Sequence, residues 1–363
     1  MSDDIACMRR ALELAWRGLT TTDPNPRVGC VIVQDGRIVG EGWHVRAGER
    51  HAEVHALNAA GDAAAGATAY VTLEPCSHTG RTPPCAQALV AARIRRVVYA
   101  VDDPNPQVRG SGAAALRAAG IEVQGGVLEG EARAVNPGFF KRHLTGLPWV
   151  RVKLGASLDG RTALANGESR WITGKAARQD GQRYRARSSV VLSGSGTVLA
   201  DDPALNVRID DATRQPLRVV LDSSLRVPPT SRMFDREGPA LVYTSSTDDA
   251  RRAALTQRGV LVETVERAAR GLDLESVLRR LALRQANEVW VEAGARLAGA
   301  LLQGRLVDEL IIYTAPTLLG PAARALVELP DITRLEDRLQ LRFTEVTMIE
   351  GDLRLIAVPV PPT

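Results

Sequence analysis

The chain has 363 residues, more than one compact unit usually holds, so two domains are expected. Its 45% hydrophobic and 24% charged residues suit ordinary cores under a soluble surface. The net charge of +4 is a small difference between 46 basic and 42 acidic side chains, and aromatics are only 4%; no basic–aromatic track suggests nucleic acid.

The N-terminal Met1-Ser2-Asp3-Asp4 lacks the basic start and apolar run of a secretory signal, and no stretch is long and uncharged enough to span a bilayer. A cytoplasmic location is expected. Apolar spacing predicts a helix over 4–17. A strand over 28–33, a turn at Asp35-Gly36 and a second apolar run at Ile38-Val39 read as a hairpin. Helix then follows over 51–60, strand over 69–73, helix over 85–92, strand over 97–101, helix over 113–119 closed by Gly120, and strand over 121–123. This alternation implies a sheet covered on both faces. The pattern breaks from Asn136 to Pro148, where the domain junction is placed, giving domains 1–146 and 147–363. Strands are expected again over 149–154, 189–193, 217–222, 240–244, 288–291 and 309–314, with a β-rich tail over 340–358.

The strongest chemical signal is His51-Ala52-Glu53, followed by Pro75-Cys76 and Cys85. A catalytic zinc needs three protein ligands and an open position for water, and one imidazole with two thiolates supplies them. Glu53, two residues past a ligand, is free to carry protons; zinc lowers the pKa of its water to near ~7. Helix starts at His51 and Cys85 would turn unpaired N–H groups toward the thiolates. Eight residues, Ser77 to Pro84, separate the cysteines, where the generic deaminase signature has two, so they are expected to loop over the site. His55, one turn after His51, is a rival ligand and is read as a packing or ligand-orienting residue. His44 and His78 are pocket candidates that spacing does not rank. Cys7 and Cys30 read as buried thiols.

In the second half no Gly-x-Gly-x-x-Gly turn follows a strand, so the ordinary dinucleotide fingerprint is absent. A strand over 289–292 instead ends at Gly294, and a helix opens over 297–302, with N–H groups able to hold a cofactor phosphate.

The chain resembles the bifunctional riboflavin-biosynthesis enzymes, in which a pyrimidine deaminase is joined to a reductase. The resemblance rests on ordered motifs: Pro24-Asn25-Pro26-Arg27-Val28-Gly29, His51-Ala52-Glu53, Glu74-Pro75-Cys76-Ser77-His78, Pro84-Cys85 and Asp103-Pro104-Asn105-Pro106. It continues through Lys153-Leu154-Gly155-Ala156-Ser157-Leu158-Asp159-Gly160, Gly167-Glu168-Ser169-Arg170-Trp171-Ile172-Thr173, residues 197–208 and Val307-Asp308-Glu309-Leu310. It implies an α/β protein with a cytidine-deaminase-like three-layer domain and a dihydrofolate-reductase-like domain. It also implies hydrolytic removal of the 2-amino group of a phosphoribosylamino-pyrimidine, then NADPH reduction of the ribosyl chain to ribityl.

By matching positions, the resemblance implies NADPH contacts at Gly155, Trp171, Thr197, Asp201, Ser223, Gly294, Ala295, Arg296, Leu297, Ala298, Gly299 and Ala300. It implies substrate contacts at Ser169, Arg185, Leu205, Arg208 and Glu292, the two arginines as phosphate clamps. Lys153 and Asp201 are candidates for polar catalytic support. Relatives often carry a basic residue at the position of Ser111, which weakens a phosphate contact there, and they suggest a homodimer formed through the reductase half. Two competing functions make different predictions. A nucleoside or nucleic-acid deaminase with a C-terminal binding domain predicts a basic–aromatic track, and a structural zinc module predicts four ligands and no spare acid.

Overall fold

A computed structural model describes residues 2–77, 84–106, 108–210, 212–269 and 271–361. The chain divides into two compact units, Met1–Gly146 and Leu147–Thr363.

In the first unit α1 (Ser2–Trp16) precedes the hairpin β1 (Gly29–Gln34) and β2 (Arg37–Trp43). Asp35 and Gly36 both adopt positive φ, 51° and 73°, which matches the right-handed twist of the paired strands. There follow α2 (Ala52–Ala60), β3 (Thr68–Val71), α3 (Cys85–Ala91), β4 (Arg96–Tyr99), α4 (Ser111–Ala118), β5 (Glu122–Gln124), α5 (Glu129–Val135) and α6 (Pro137–Thr145). The sheet runs β2-β1-β3-β4-β5, with β1 antiparallel to both neighbours and β3, β4 and β5 mutually parallel.

Alternation along β1 splits the core. Val31 packs with Met8, Leu12, Phe139 and Phe140 on one face, while Ile32 packs with Ala52, Ala56, Leu89 and Leu116 on the other. Gly40 and Gly42 on β2 let α2 lie directly on the sheet. A Cβ at these positions would meet Ala56 O at 2.3 Å and Ala52 O at 2.5 Å. This contact fixes the height of the α2 N-terminus, where His51 sits.

The division between the units falls inside the segment 136–148, but most of that segment is helix. Pro137 opens α6, where a missing N–H leaves no hydrogen bond unmade. Asn136 is buried and clasps Arg27, accepting from its N–H and donating to its carbonyl, both at 2.8 Å. Only at Gly146, in the left-handed conformation, does the helix end.

The second unit contains β6 (Trp149–Ser157), β7 (Arg161–Ala163), α7 (Lys175–Arg187), β8 (Val190–Gly194), α8 (Ser195–Asp201), β9 (Leu217–Leu221) and β10 (Ala240–Thr244). It continues with α9 (Asp249–Thr256), β11 (Leu261–Thr264), β12 (Arg267–Ala268), β13 (Gly271–Leu272), α10 (Leu274–Leu283), β14 (Glu288–Glu292) and α11 (Ala295–Gln303). Then come β15 (Glu309–Ala315), β16 (Arg324–Ala325) and the closing hairpin β17 (Leu341–Ile349) and β18 (Asp352–Pro359).

Its main sheet has nine strands in the order β11-β10-β9-β8-β14-β6-β15-β18-β17, parallel from β11 to β15 and antiparallel at the final hairpin. Central strands such as β8 and β14 are covered on both faces and therefore read as continuous apolar runs. Val190 and Leu192 face one core, Val191 the other. Helix α7 had no apolar signature because it packs through Ala177, Gly181, Gln182, Arg185 and Ala186.

Candidate metal centre and cleft of the second unit

His51 is the residue before α2, in extended conformation, and Cys85 is the first residue of α3. Between them stands Cys76, in the loop after β3. His51 Nδ1 lies 3.2 Å from Cys85 Sγ and 3.6 Å from Cys76 Sγ, and the three donor atoms are all within 4.8 Å of one another. A tetrahedral ion with bonds of about 2.0–2.3 Å needs donors spaced on this scale. The backbone N–H of Cys85 donates to Cys76 Sγ at 3.4 Å. The Cys85 thiol and His51 also stabilise the charged sulfur and, against burial, hold the Cys76 thiol down at about 4.

Glu53 is buried and its Oε2 has no hydrogen-bond partner among the described residues. Burial first, then the nearby Cys76 charge, pushes its carboxyl above the usual range. An unpartnered buried carboxylate oxygen beside three soft and borderline donors fits a zinc site that keeps water. The donor set therefore suits the ion, and the spare acid suits a catalytic rather than a closed structural centre.

Glu74 holds this loop in place, a role that spacing alone did not single out. Its Oε1 accepts from Gly112 and Ala113 N–H, both at 3.1 Å, and its Oε2 from Gly110 at 2.9 Å and Asp103 at 3.3 Å. One buried carboxylate thus caps α4 and ties it to the segment that carries Cys76. Gly112 is required there, since a Cβ would lie 1.7 Å from Pro75 O. Ser111 begins α4 with its Oγ 2.6 Å from Ser77 Oγ.

His44 stacks edge-on against His51, ring centroids 5.3 Å apart. Its Nδ1 pairs with Arg50 O and its Nε2 with the Asn25 side-chain amide, each at 3.1 Å. A carbonyl on Nδ1 requires a proton there, so Nε2 accepts from Asn25. Burial first, with the neighbouring His51 adding to it and the Arg50 carbonyl opposing, lowers the pKa of this ring. His55 lies further along α2 and is not among the clustered donors; its Nε2 is buried without a partner among the described residues. His78 and the 78–83 segment of the expected loop lie outside the described residues. Cys30 is buried and Cys7 half-buried, both free thiols.

The second unit holds an open cleft of about 1840 Å³ at the C-terminal ends of β14, β8 and β9, flanked by β6. It is lined by Gly155, Ser169, Trp171, Thr197, Asp201, Leu205, Arg208, Ser223, Glu292, Gly294, Ala295, Arg296, Leu297 and Ala300. Trp171 is exposed, with the Arg178 guanidinium 4.2 Å above its ring. Asp201 sits 3.6 Å from Arg170 Nη2. Lys153 also lines the cleft, its Nζ 5.8 Å from the Tyr313 ring centre; burial lowers its pKa against the opposing pull of Glu292.

Two residues of the expected contact set, Ala298 and Gly299, are not in the cleft lining, and a third, Arg185, is paired. Ala298 is fully buried in the core, and Gly299 packs against Glu328 O, where a Cβ would come within 1.9 Å. Both are on the inner side of α11, away from the cleft lining. Arg185 does line the cleft but is not a free phosphate clamp. Its Nε and Nη2 donate to the two Glu292 oxygens at 2.5 and 2.7 Å, and its Nη1 to Asn206 O at 2.8 Å. Burial pushes the Glu292 carboxyl up, but Arg185 outweighs it and, with Lys153 and Trp290, holds it at about 2. Lys175, Arg178, Arg226, Arg232 and Arg236 join the lining, and sequence spacing marked none of them. Only the folded sheet brings them to one edge.

Residues 1–101 match the family model for the cytidine and deoxycytidylate deaminase zinc-binding region, and residues 148–355 match the RibD C-terminal domain. The chain is 53% identical over 360 residues to riboflavin biosynthesis protein RibD of Escherichia coli (strain K12), covering 96% of this chain and 97% of that one. It is similar to the solved structure of Acinetobacter baumannii RibD, form 1, at TM-score 0.93 and 46% identity, with 99% of each chain covered. The diaminohydroxyphosphoribosylaminopyrimidine deaminase/5-amino-6-(5-phosphoribosylamino)uracil reductase of Thermotoga maritima matches at TM-score 0.86 and 32% identity, again over 99% of both chains. The two units have the cytidine-deaminase-like and dihydrofolate-reductase-like folds that the resemblance implied. The chain belongs to the riboflavin biosynthesis protein RibD family, bifunctional deaminase–reductases that work with zinc and NADPH.

Proposed function

We propose that the first unit hydrolyses the 2-amino group of 2,5-diamino-6-(phosphoribosylamino)pyrimidin-4-one, and that the second reduces the ribosyl chain of the deaminated product to ribityl. His51, Cys76 and Cys85 hold the zinc, which supplies a Lewis acid and makes water nucleophilic near neutral pH. The observation that carries the assignment is Glu53, a buried carboxylate with Oε2 unpartnered beside the three donors. Glu53 accepts a proton from the attacking water and returns one to the departing amine, so a C–N bond breaks, a C=O forms and ammonia leaves.

NADPH supplies the hydride in the second unit. Gly155, Trp171, Thr197, Asp201, Ser223 and the Gly294–Leu297 turn with Ala300 line its cleft, and Ser169, Leu205, Arg208 and Glu292 line the substrate side. Arg185 acts there by fixing the Glu292 carboxylate. Lys153 lines the same cleft, and burial lowers its pKa against the pull of Glu292, which makes it the candidate proton donor.

We also place the enzyme in the cytoplasm, where thiol ligands stay reduced, and assign it a homodimer through the reductase unit. Support for the dimer is β17, the outermost strand of the nine-stranded sheet, which exposes Phe343, Val346 and Met348.

Mass analysis of the purified protein with the diaminopyrimidine tests both steps. Without NADPH only the deaminated uracil is expected, and with NADPH its ribityl form. Reduction without prior deamination would contradict the order of steps, and loss of neither group would contradict the function.

A further inference from the structure

We propose that Arg232 and Arg236 complete, with Arg208, a three-guanidinium grip for the phosphate of the substrate's phosphoribosyl chain. This rests on the substrate reading of Arg208 given above. All three side chains line the same cleft and are exposed to it. None makes an ion pair among the described residues, and the sole side-chain hydrogen bond of the three is Arg208 Nη1 to Asn206 Oδ1 at 3.1 Å.

The acids nearby are engaged elsewhere. Asp235 pairs with Arg258, Asp201 with Arg170, and Glu292 with Arg185. Burial first, then Arg185, lowers the pKa of Arg208, with Arg232 and Arg236 adding to this against the opposing pull of Glu292. Three like charges, none of them in a direct ion pair among the described residues, repel one another, and a phosphate monoester of charge near −2 relieves that repulsion.

The segment carrying Arg232 and Arg236 is also fixed at both ends. Met233 and Phe234 anchor it in the core, and Arg232 N–H donates to Asp202 Oδ1 at 2.9 Å. At the far end Arg218, buried in β9, donates to the carbonyls of Arg236, Glu237 and Gly238 at 2.8, 2.7 and 2.6 Å. A buried guanidinium without a carboxylate partner is costly, and its hold on this loop keeps Arg236 at the cleft edge.

The test is reductase kinetics with the deaminated substrate and with its phosphate-free counterpart, comparing Arg208→Ala, the double variant Arg232→Ala/Arg236→Ala, and Arg232→Lys/Arg236→Lys. The double alanine variant is expected to raise KM for the phosphorylated substrate about tenfold per arginine, with KM for NADPH and for the phosphate-free substrate unchanged. The lysine variant is expected to recover part of the loss. An unchanged KM in the double alanine variant while Arg208→Ala raises it would overturn the grip but leave Arg208 with the substrate. An unchanged KM in both would overturn the substrate reading of Arg208 as well. A raised KM for NADPH alone would assign the cluster to the cofactor and equally overturn the proposal.

Discussion

The backbone N–H of Cys85 points at Cys76 Sγ across 3.4 Å, so the first residue of α3 offers its own thiol and also turns a peptide dipole on its partner's. The Cys85 thiol first, then His51, lowers the pKa of the Cys76 thiol against burial, which favours the thiolate form that a metal binds. The metal centre thus depends on where two helices begin, and α2 begins where it does because Gly40 and Gly42 let it lie on the sheet.

Glu53→Gln keeps the shape of the side chain and removes its basicity. Bound zinc should stay stoichiometric by elemental analysis while ammonia release falls by about 10²–10⁴-fold. Undiminished release would remove Glu53 from the proton path.

Cys76→Ser should lose zinc and deamination together. NADPH oxidation on pre-deaminated substrate should persist, because that cleft is lined wholly by residues of the second unit. Loss of both activities in a folded variant would contradict independent sites.

Removing the Glu74 carboxylate in Glu74→Ala leaves four backbone N–H groups without their acceptor. The cost should be about 3 kcal/mol or more, with weaker zinc retention. Glu74→Gln, which keeps an acceptor oxygen, should recover part of both. Thermal unfolding and zinc content of the two variants read this directly; an unshifted alanine variant would contradict the role.

Glu292 gives a pH signature. Its folded pKa, about 2, lies below the ordinary 4.5, so the stability it contributes is complete above pH ~4.5 and is lost as pH falls toward ~2. The stability difference between the native protein and Glu292→Gln should be constant above pH ~5 and shrink through that window. At neutral pH it should reach about 3–5 kcal/mol, because the variant leaves Arg185 buried without its partner. A difference that does not change with pH would contradict the assignment.

Much of the first unit was legible because its signals are local. The Asp35-Gly36 turn, the alternation at Val31 and Ile32, and the His51, Glu53, Cys76 and Cys85 spacing each depend on near neighbours. Helix α6 was not legible because Pro137 and Gly138 look like a break, and only the fold brings Asn136 to clasp Arg27, distant in sequence. Helix α7 was missed because it buries Gln182 and Arg185 rather than an apolar stripe. That Arg185, a phosphate clamp by resemblance, also holds Glu292 was not legible, since nothing in sequence brings the two together. The fold makes that pair by packing α7 against β14, and it also places Arg208, Arg232 and Arg236 along one cleft.

The most direct measurement is X-ray absorption at the zinc edge of the purified, active protein. One zinc per chain with two sulfur scatterers at about 2.3 Å and one imidazole nitrogen at about 2.0 Å, completed by a light oxygen scatterer, is the predicted result. Four protein ligands, or active deaminase holding no zinc, would contradict a centre built from His51, Cys76 and Cys85.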